Sequence, residues 1–146
     1  MKLRRKTRIE VLRDSSEHWT AIEEFYRPLA EELGSDWYVL PDELSNSMLR
    51  EVLLWHGGEL VGFCHLLIPS DDCAYLELYD MVVKREYRRR GYGTAMMKRA
   101  VSYARRMGYR GVWIVENEAP AFYSSLPWYR RESRSDEEFE LLSPAI

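Results

Sequence analysis

Apolar and polar positions alternate weakly from Ile9 to Leu12, which predicts a short first strand. Asp14-Ser15-Ser16-Glu17 then supplies side-chain acceptors for the orphan N–H groups of a helix start. Trp19, Ile22, Tyr26, Leu29 and Leu33 recur at three and four residues, the apolar stripe of a helix ended by Gly34, with Pro28 expected to kink or split it. An irregular stretch through Trp37 and Tyr38 leads to a short helix around Asp42 to Leu49. Val52 to Trp55 and Leu60 to Ile68 are β-rich runs joined by His56-Gly57-Gly58-Glu59, a hairpin signal because both central residues can take positive φ. Ala74 to Val83 is a third long strand. Met96, Ala100, Tyr103, Ala104 and Met107 have helical spacing, and Gly108 closes that helix. A strand from Gly111 to Val115, a short helix from about Ala119 to Leu126, and small strands at Trp128-Tyr129 and Phe139 to Leu142 complete the chain. This order predicts an α+β fold over residues 1–146 as one domain: a mixed, mostly antiparallel central sheet flanked by helices.

Composition narrows the class without changing that picture. The chain has 146 residues, 46% of them hydrophobic, enough for a core that needs no staple of disulfide or metal. Its formal net charge of -3 argues against a nucleic-acid partner, which calls for a cationic excess. Cys64 and Cys73 form no CxxC pair and have no histidine cluster beside them, so neither a metal nor a redox site is expected. No apolar run is long enough for a membrane span, and the basic start, Met1 to Lys6, lacks the apolar core of a secretory signal. A cytoplasmic protein with no membrane partner is the expectation. His18, His56 and His65 have no visible partners and read as structural or surface residues.

The stretch that carries chemistry is Val82-Val83-Lys84-Arg85-Glu86-Tyr87-Arg88-Arg89-Arg90-Gly91-Tyr92-Gly93-Thr94. It runs from a strand through a basic glycine turn into an amphipathic helix. Gly91 and Gly93 let backbone approach a ligand, and the unpaired N–H groups of the helix start converge there with its positive dipole end. Arginines suit phosphate oxygens. Taken alone, the three arginines read equally well as a solvated charge run. A P-loop would need GxxxxGK[ST], which is absent, so nucleoside triphosphate hydrolysis is disfavoured. A dinucleotide turn is disfavoured, since Met96 occupies its third glycine position and the preceding strands look antiparallel.

Val83 to Gly93 resembles the acyl-CoA signature of the GNAT superfamily of N-acetyltransferases, (R/Q)xxGx(G/A) after a strand, with Arg88, Gly91 and Gly93 at the matching positions. Downstream, Asn117-Glu118-Ala119-Pro120-Ala121-Phe122-Tyr123 is similar to the family's second signature, although Pro127-Trp128 stands where Gly-Phe is usual. The resemblance covers about Leu76 to Trp128 and implies an acetyl-CoA-dependent transferase acting on a primary amine. It implies a pyrophosphate cradle of Arg89, Arg90, Gly91, Tyr92, Gly93 and Thr94 beside Arg88. It further implies pantetheine contacts along Met81, Val82 and Val83, with support from Asn117, Phe122 and Tyr123.

Acyl transfer to an amine needs a proton acceptor and a proton donor on opposite sides of the reacting centre. Tyr123 matches the family's acid position, and a phenol is protonated at neutral pH. Glu77, six positions before Val83, stands where the histone-acetyltransferase branch of the superfamily places a glutamate base. Asp80 is the alternative, with opposite strand parity unless a bulge intervenes, and an ordered water is a third. Trp37, Tyr38 and Tyr79 are candidates for acceptor contact. No metal is expected, and the chain could act as a monomer or homodimer. The alternative function is a non-catalytic acyl-CoA-binding module, against which the joint presence of Tyr123 and a strand carboxylate argues.

Overall fold

In the computed structural model, the described residues are 6–13, 16–33, 48–115 and 117–144. They form seven strands and three helices in the order β1 (Thr7–Leu12), α1 (Trp19–Leu33), β2 (Leu49–His56), β3 (Glu59–Leu67), β4 (Tyr75–Val83), α2 (Tyr92–Arg106), β5 (Gly111–Ile114), α3 (Pro120–Ser124), β6 (Tyr129–Arg134) and β7 (Glu137–Leu142). One sheet takes the order β1-β2-β3-β4-β5-β7-β6, in which only β4 and β5 run parallel. The expected mixed, mostly antiparallel sheet is therefore present, and the last two strands complete it from within the chain.

The helices follow from their apolar stripes. On α1, Ile22, Phe25 and Tyr26 are buried against Leu49, Leu53, Leu60, Phe63 and Val82, forming the core of one sheet face. The helix runs unbroken through Pro28, whose position is exposed. The side chains of Trp19, Leu29 and Leu33, and the whole of Gly34, Trp37 and Tyr38, lie outside the described residues, as does the expected helix over 42–47. Leu49, placed in that helix by the sequence, instead opens β2, where it registers with Leu67.

On the opposite face, Met96, Met97, Ala100, Val101 and Ala104 of α2 pack on Val52, Leu54, Cys64, Leu76 and Leu78. Each large apolar side chain so buried contributes about 1.5–3 kcal/mol of transfer free energy. The β2–β3 hairpin turns through Gly57 and Gly58, both at positive φ (58° and 84°), as the Gly-Gly pair predicts. The sheet thus lies between α1 on one face and α2 with α3 on the other.

Candidate active site

A gap in the sheet organises the site. β4 and β5 pair from Tyr75 with Gly111 to Leu78 with Ile114, and the last bond across them is Val115 N–H to the Leu78 carbonyl at 3.3 Å. Beyond it no described strand flanks β4 on that side. The Lys84 N–H bonds to the Val61 carbonyl on β3 (2.8 Å). Backbone alternation therefore turns the polar groups of Val83 the other way, into the gap. The Val83 carbonyl is taken by Arg88 Nε at 2.7 Å, which ties the arginine of the glycine motif to the strand end. Val82 faces β3, registered with Phe63, and its side chain packs against α1.

At the end of the gap the chain makes a 3-10 turn (Arg85–Tyr87) and enters α2 through Gly91 at φ 85°. Ala95 N–H makes the first intrahelical bond, to the Gly91 carbonyl at 3.0 Å. The N–H groups of Gly91, Tyr92, Gly93 and Thr94 are thus the four that an α-helix leaves open at its start. A Cβ built on Gly91 would meet nothing within 4 Å, so the space over this turn is open, and Arg88, Arg89 and Arg90 are all exposed around it. An open, cationic nest of N–H donors fits a pyrophosphate group. The Tyr92 side chain points away, buried with His56 and Tyr87, and offers only its backbone. Gly93 is required for another reason: its Cβ would lie 3.2 Å from the Phe122 ring, which packs α3 against the start of α2.

On the α2 face, Tyr123 of α3 is 3% exposed within the same apolar cluster as Leu76, Leu78 and Cys64. Burial pushes its hydroxyl well above the ordinary phenol range, with Cys64 and then Glu118 adding to the shift. Its hydroxyl makes no hydrogen bond among the described residues. Asn117 is committed elsewhere: its amide donates to Glu140, and its oxygen accepts from the Ala119 N–H at 3.1 Å, anchoring the approach to α3.

Glu77 and Tyr79 lie on the α1 face, where the Tyr79 hydroxyl donates to Glu77 Oε1 at 2.7 Å. Glu77 registers with Trp113, inside the portion of β4 still paired to β5. Asp80 follows at φ 54°, a left-handed conformation that aspartate tolerates better than most residues. Between Tyr79 and Val82, β4 uses three steps where β3 uses two from His65 to Phe63, so a β-bulge falls on Asp80 and Met81. The bulge reverses side-chain parity and brings Asp80 onto the α1 face with Glu77, where Asp80 Oδ2 lies 3.3 Å from His65 Nδ1. Strand alternation alone set these two carboxylates on opposite faces.

His65, which has no visible partner in the sequence, has two in the structure. It has no local signal, because its partners Glu51 and Asp80 come from β2 and β4, and strand register alone assembles them. Nearby on the α1 face a cleft of about 630 Å³ runs over Tyr75, Trp113 and Phe139 and is edged by Asp71, Asp72, Glu132 and Glu137 against Arg134 alone.

The parallel β4–β5 pair thus parts over the glycine turn, with Tyr123 buried on one sheet face and Glu77 and Asp80 on the other. The family description "Acetyltransferase (GNAT) family" matches residues 11–131. The chain belongs to this family. No curated protein matches it. Among solved structures, this GNAT chain is similar to an acetyltransferase of the GNAT family from Staphylococcus aureus Mu50 (17% identity, TM-score 0.68, 93% of this chain and 99% of that one). It is also similar to N-acetylglutamate synthase from Neisseria gonorrhoeae, complexed with coenzyme A and N-acetyl-glutamate (17% identity, TM-score 0.67, 92% of this chain). There the chain spans only 34% of the other protein's length. PaiA N-acetyltransferase from Thermoplasma acidophilum, in complex with coenzyme A, gives 16% identity and TM-score 0.61 over 92% of this chain and 97% of that one. These likenesses show that the GNAT fold is shared. No group of metal-ligating side chains occurs among the described residues, and no described helix is long and apolar enough to cross a membrane.

Proposed function

We propose that this GNAT chain transfers the acetyl group of acetyl-CoA to a primary amine by direct attack within a ternary complex. The observation that carries the reading is the β4–β5 gap, closed at one end by the glycine turn, with Tyr123 on one sheet face and Glu77 and Asp80 on the other. Acetyl-CoA supplies the activated thioester. The N–H groups from Gly91 to Thr94, with Arg88, Arg89 and Arg90, hold its pyrophosphate. Backbone groups of Met81 and Val83 hold the pantetheine arm, and an N–H directed at the carbonyl oxygen stabilises charge that develops there. Phe122 walls the cradle beside Gly93. Asn117 acts through α3, by fixing the helix that bears Tyr123.

A carboxylate of β4, Glu77 or Asp80, takes the proton that the amine must lose. Tyr123, kept neutral by burial, donates one to the departing sulfur from the other face. The acidic cleft beyond Glu77 favours an acceptor with a second positive charge. Trp37 and Tyr38 stay candidates for acceptor contact beside Tyr79. A panel of 1,4-diaminobutane, an aminoglycoside and a lysine-containing peptide, followed by thiol release from acetyl-CoA, tests the reading. Amine-dependent release is expected. Saturable acetyl-CoA binding with no release on any amine favours the non-catalytic binding module instead.

A further inference from the structure

Glu51, His65 and Asp80 line up across β2, β3 and β4 on the α1 face of the sheet. Glu51 and His65 are directly opposed in register, and His65 is opposed to Tyr79, the residue before the bulge. The His65 side chain is 5% exposed and Glu51 2%, while Asp80 at 30% reaches the surface beside the gap. The imidazole stands edge-on to Phe63 with ring centroids 4.4 Å apart, and Tyr26 of α1 closes over Phe63 at 4.8 Å. A polar ring enclosed in this way is costly unless it is bonded.

We propose that His65 is a positioning residue for acetyl transfer: its Nδ1–H holds Asp80 Oδ2, and so selects Asp80 over Glu77 as the group that takes the amine's proton. The inference rests on the acetyltransferase reading and deepens it. An ionised carboxylate only accepts hydrogen bonds, so the 3.3 Å contact puts the hydrogen on Nδ1. That leaves Nε2 facing Glu51 Oε2 at 3.8 Å, a second carboxylate on the far side of the ring. Of the other titratable groups on this face, Tyr79 opposes His65 and donates to Glu77, and Tyr26 of α1 packs over Phe63 with its hydroxyl held neutral by burial.

The backbone supports the same assignment. Asp80 keeps a left-handed φ of 54°, and the bulge it makes turns its carboxylate from the apolar α2 face onto His65. Such conformations persist where surrounding contacts over-determine them, and here the His65 bond is the contact that does so. With one oxygen engaged, Asp80 keeps the other for the amine. The proton it accepts from the ammonium leaves to water through the exposed side of the carboxylate. The proton that the nitrogen loses on acylation also passes through Asp80 to water, and Tyr123, having given its proton to sulfur, takes one back from water, so that one proton is released per turnover.

Asparagine and leucine share size and branching, and only asparagine offers an N–H near the Nδ1 position. With acetyl-CoA and the panel amine that the wild type acetylates fastest, His65→Leu is expected to lower kcat at least tenfold with acetyl-CoA affinity unchanged within twofold. His65→Asn is expected to retain kcat within about threefold. Adding His65→Leu to Asp80→Asn should cause no further loss, because the two act as one unit. Equal effects of His65→Leu and His65→Asn, or additive losses in the double variant, overturn the assignment. A second readout stands apart from turnover and from the folding of His65 variants. Imidazole ¹⁵N NMR of the wild type should show Nδ1 protonated, with a resonance that moves in Asp80→Asn. A bare Nδ1, or a signal unmoved by that change, also overturns it, whereas acetyl-CoA binding without turnover on any amine overturns the acetyltransferase reading and leaves the tautomer result to decide the His65–Asp80 contact.

Discussion

Tyr123 is the proposed proton donor to sulfur. It lies against the apolar cluster that floors the gap, and burial raises its hydroxyl so that it stays protonated across the neutral range. Tyr123→Phe is therefore expected to lower kcat at least tenfold while acetyl-CoA affinity stays within twofold, separable by steady-state kinetics and calorimetry. Unchanged kcat would remove the acid role. Tyr123 could be singled out in the sequence because its motif is contiguous, from Asn117 to Tyr123. Asp80 was only half legible: its type and position suggested a base, but its face depends on a bulge that the β3–β4 register determines. His65 was not legible at all, since a hydrogen bond between residues fifteen apart on neighbouring strands leaves no periodic trace.

The elements divide into those with a strong period and those whose ends are decided by tertiary packing. The stripe of α2 gave Met96, Ala100 and Ala104 as buried, and the helix starts at the glycine turn, at Tyr92, because Gly91 supplies the left-handed residue that turns the chain into it. Nothing contacts a Cβ built on Gly91, so Gly91→Ala strains the backbone alone, by about 1–2 kcal/mol. That substitution is expected to weaken acetyl-CoA binding more than it lowers Tm, because it moves the N–H groups of the cradle. Gly111 gives the opposite case. A Cβ there would lie 2.1 Å from the Leu142 carbonyl oxygen, so Gly111→Ala must push β7 off β5. A loss of about 1–3 kcal/mol in urea unfolding is expected, with a lower affinity for acetyl-CoA only as far as the gap deforms. Pro28 shows the limit of a local rule: the sequence favours a break, whereas packing of Ile22, Phe25 and Tyr26 on the sheet holds α1 continuous.

For the molecule as a whole, the near-balance of charge conceals a segregation. Lys84, Arg85 and Arg88 to Arg90 gather at the glycine turn, whereas Asp71, Asp72, Glu132 and Glu137 edge the cleft on the α1 face. Stability carries a matching signature. Tyr26, Cys64 and Tyr123 are all raised by burial from ordinary values of 10.0, 9.0 and 10.0. Their contribution is therefore complete below about pH 9 and falls as pH rises, because the unfolded chain releases these protons first. Each group adds a slope of about 1.4 kcal/mol per pH unit, so urea unfolding should show a steep decline between about pH 9 and 11. A flat profile would show that these groups ionise freely in the folded chain. The central claim, that the parted β4–β5 pair and its glycine turn form an acyl-CoA site, is met most directly by calorimetric titration with acetyl-CoA. One-site saturation at micromolar concentrations, weakened by Gly91→Ala, is the predicted result; no saturable heat with a correctly folded chain would contradict it.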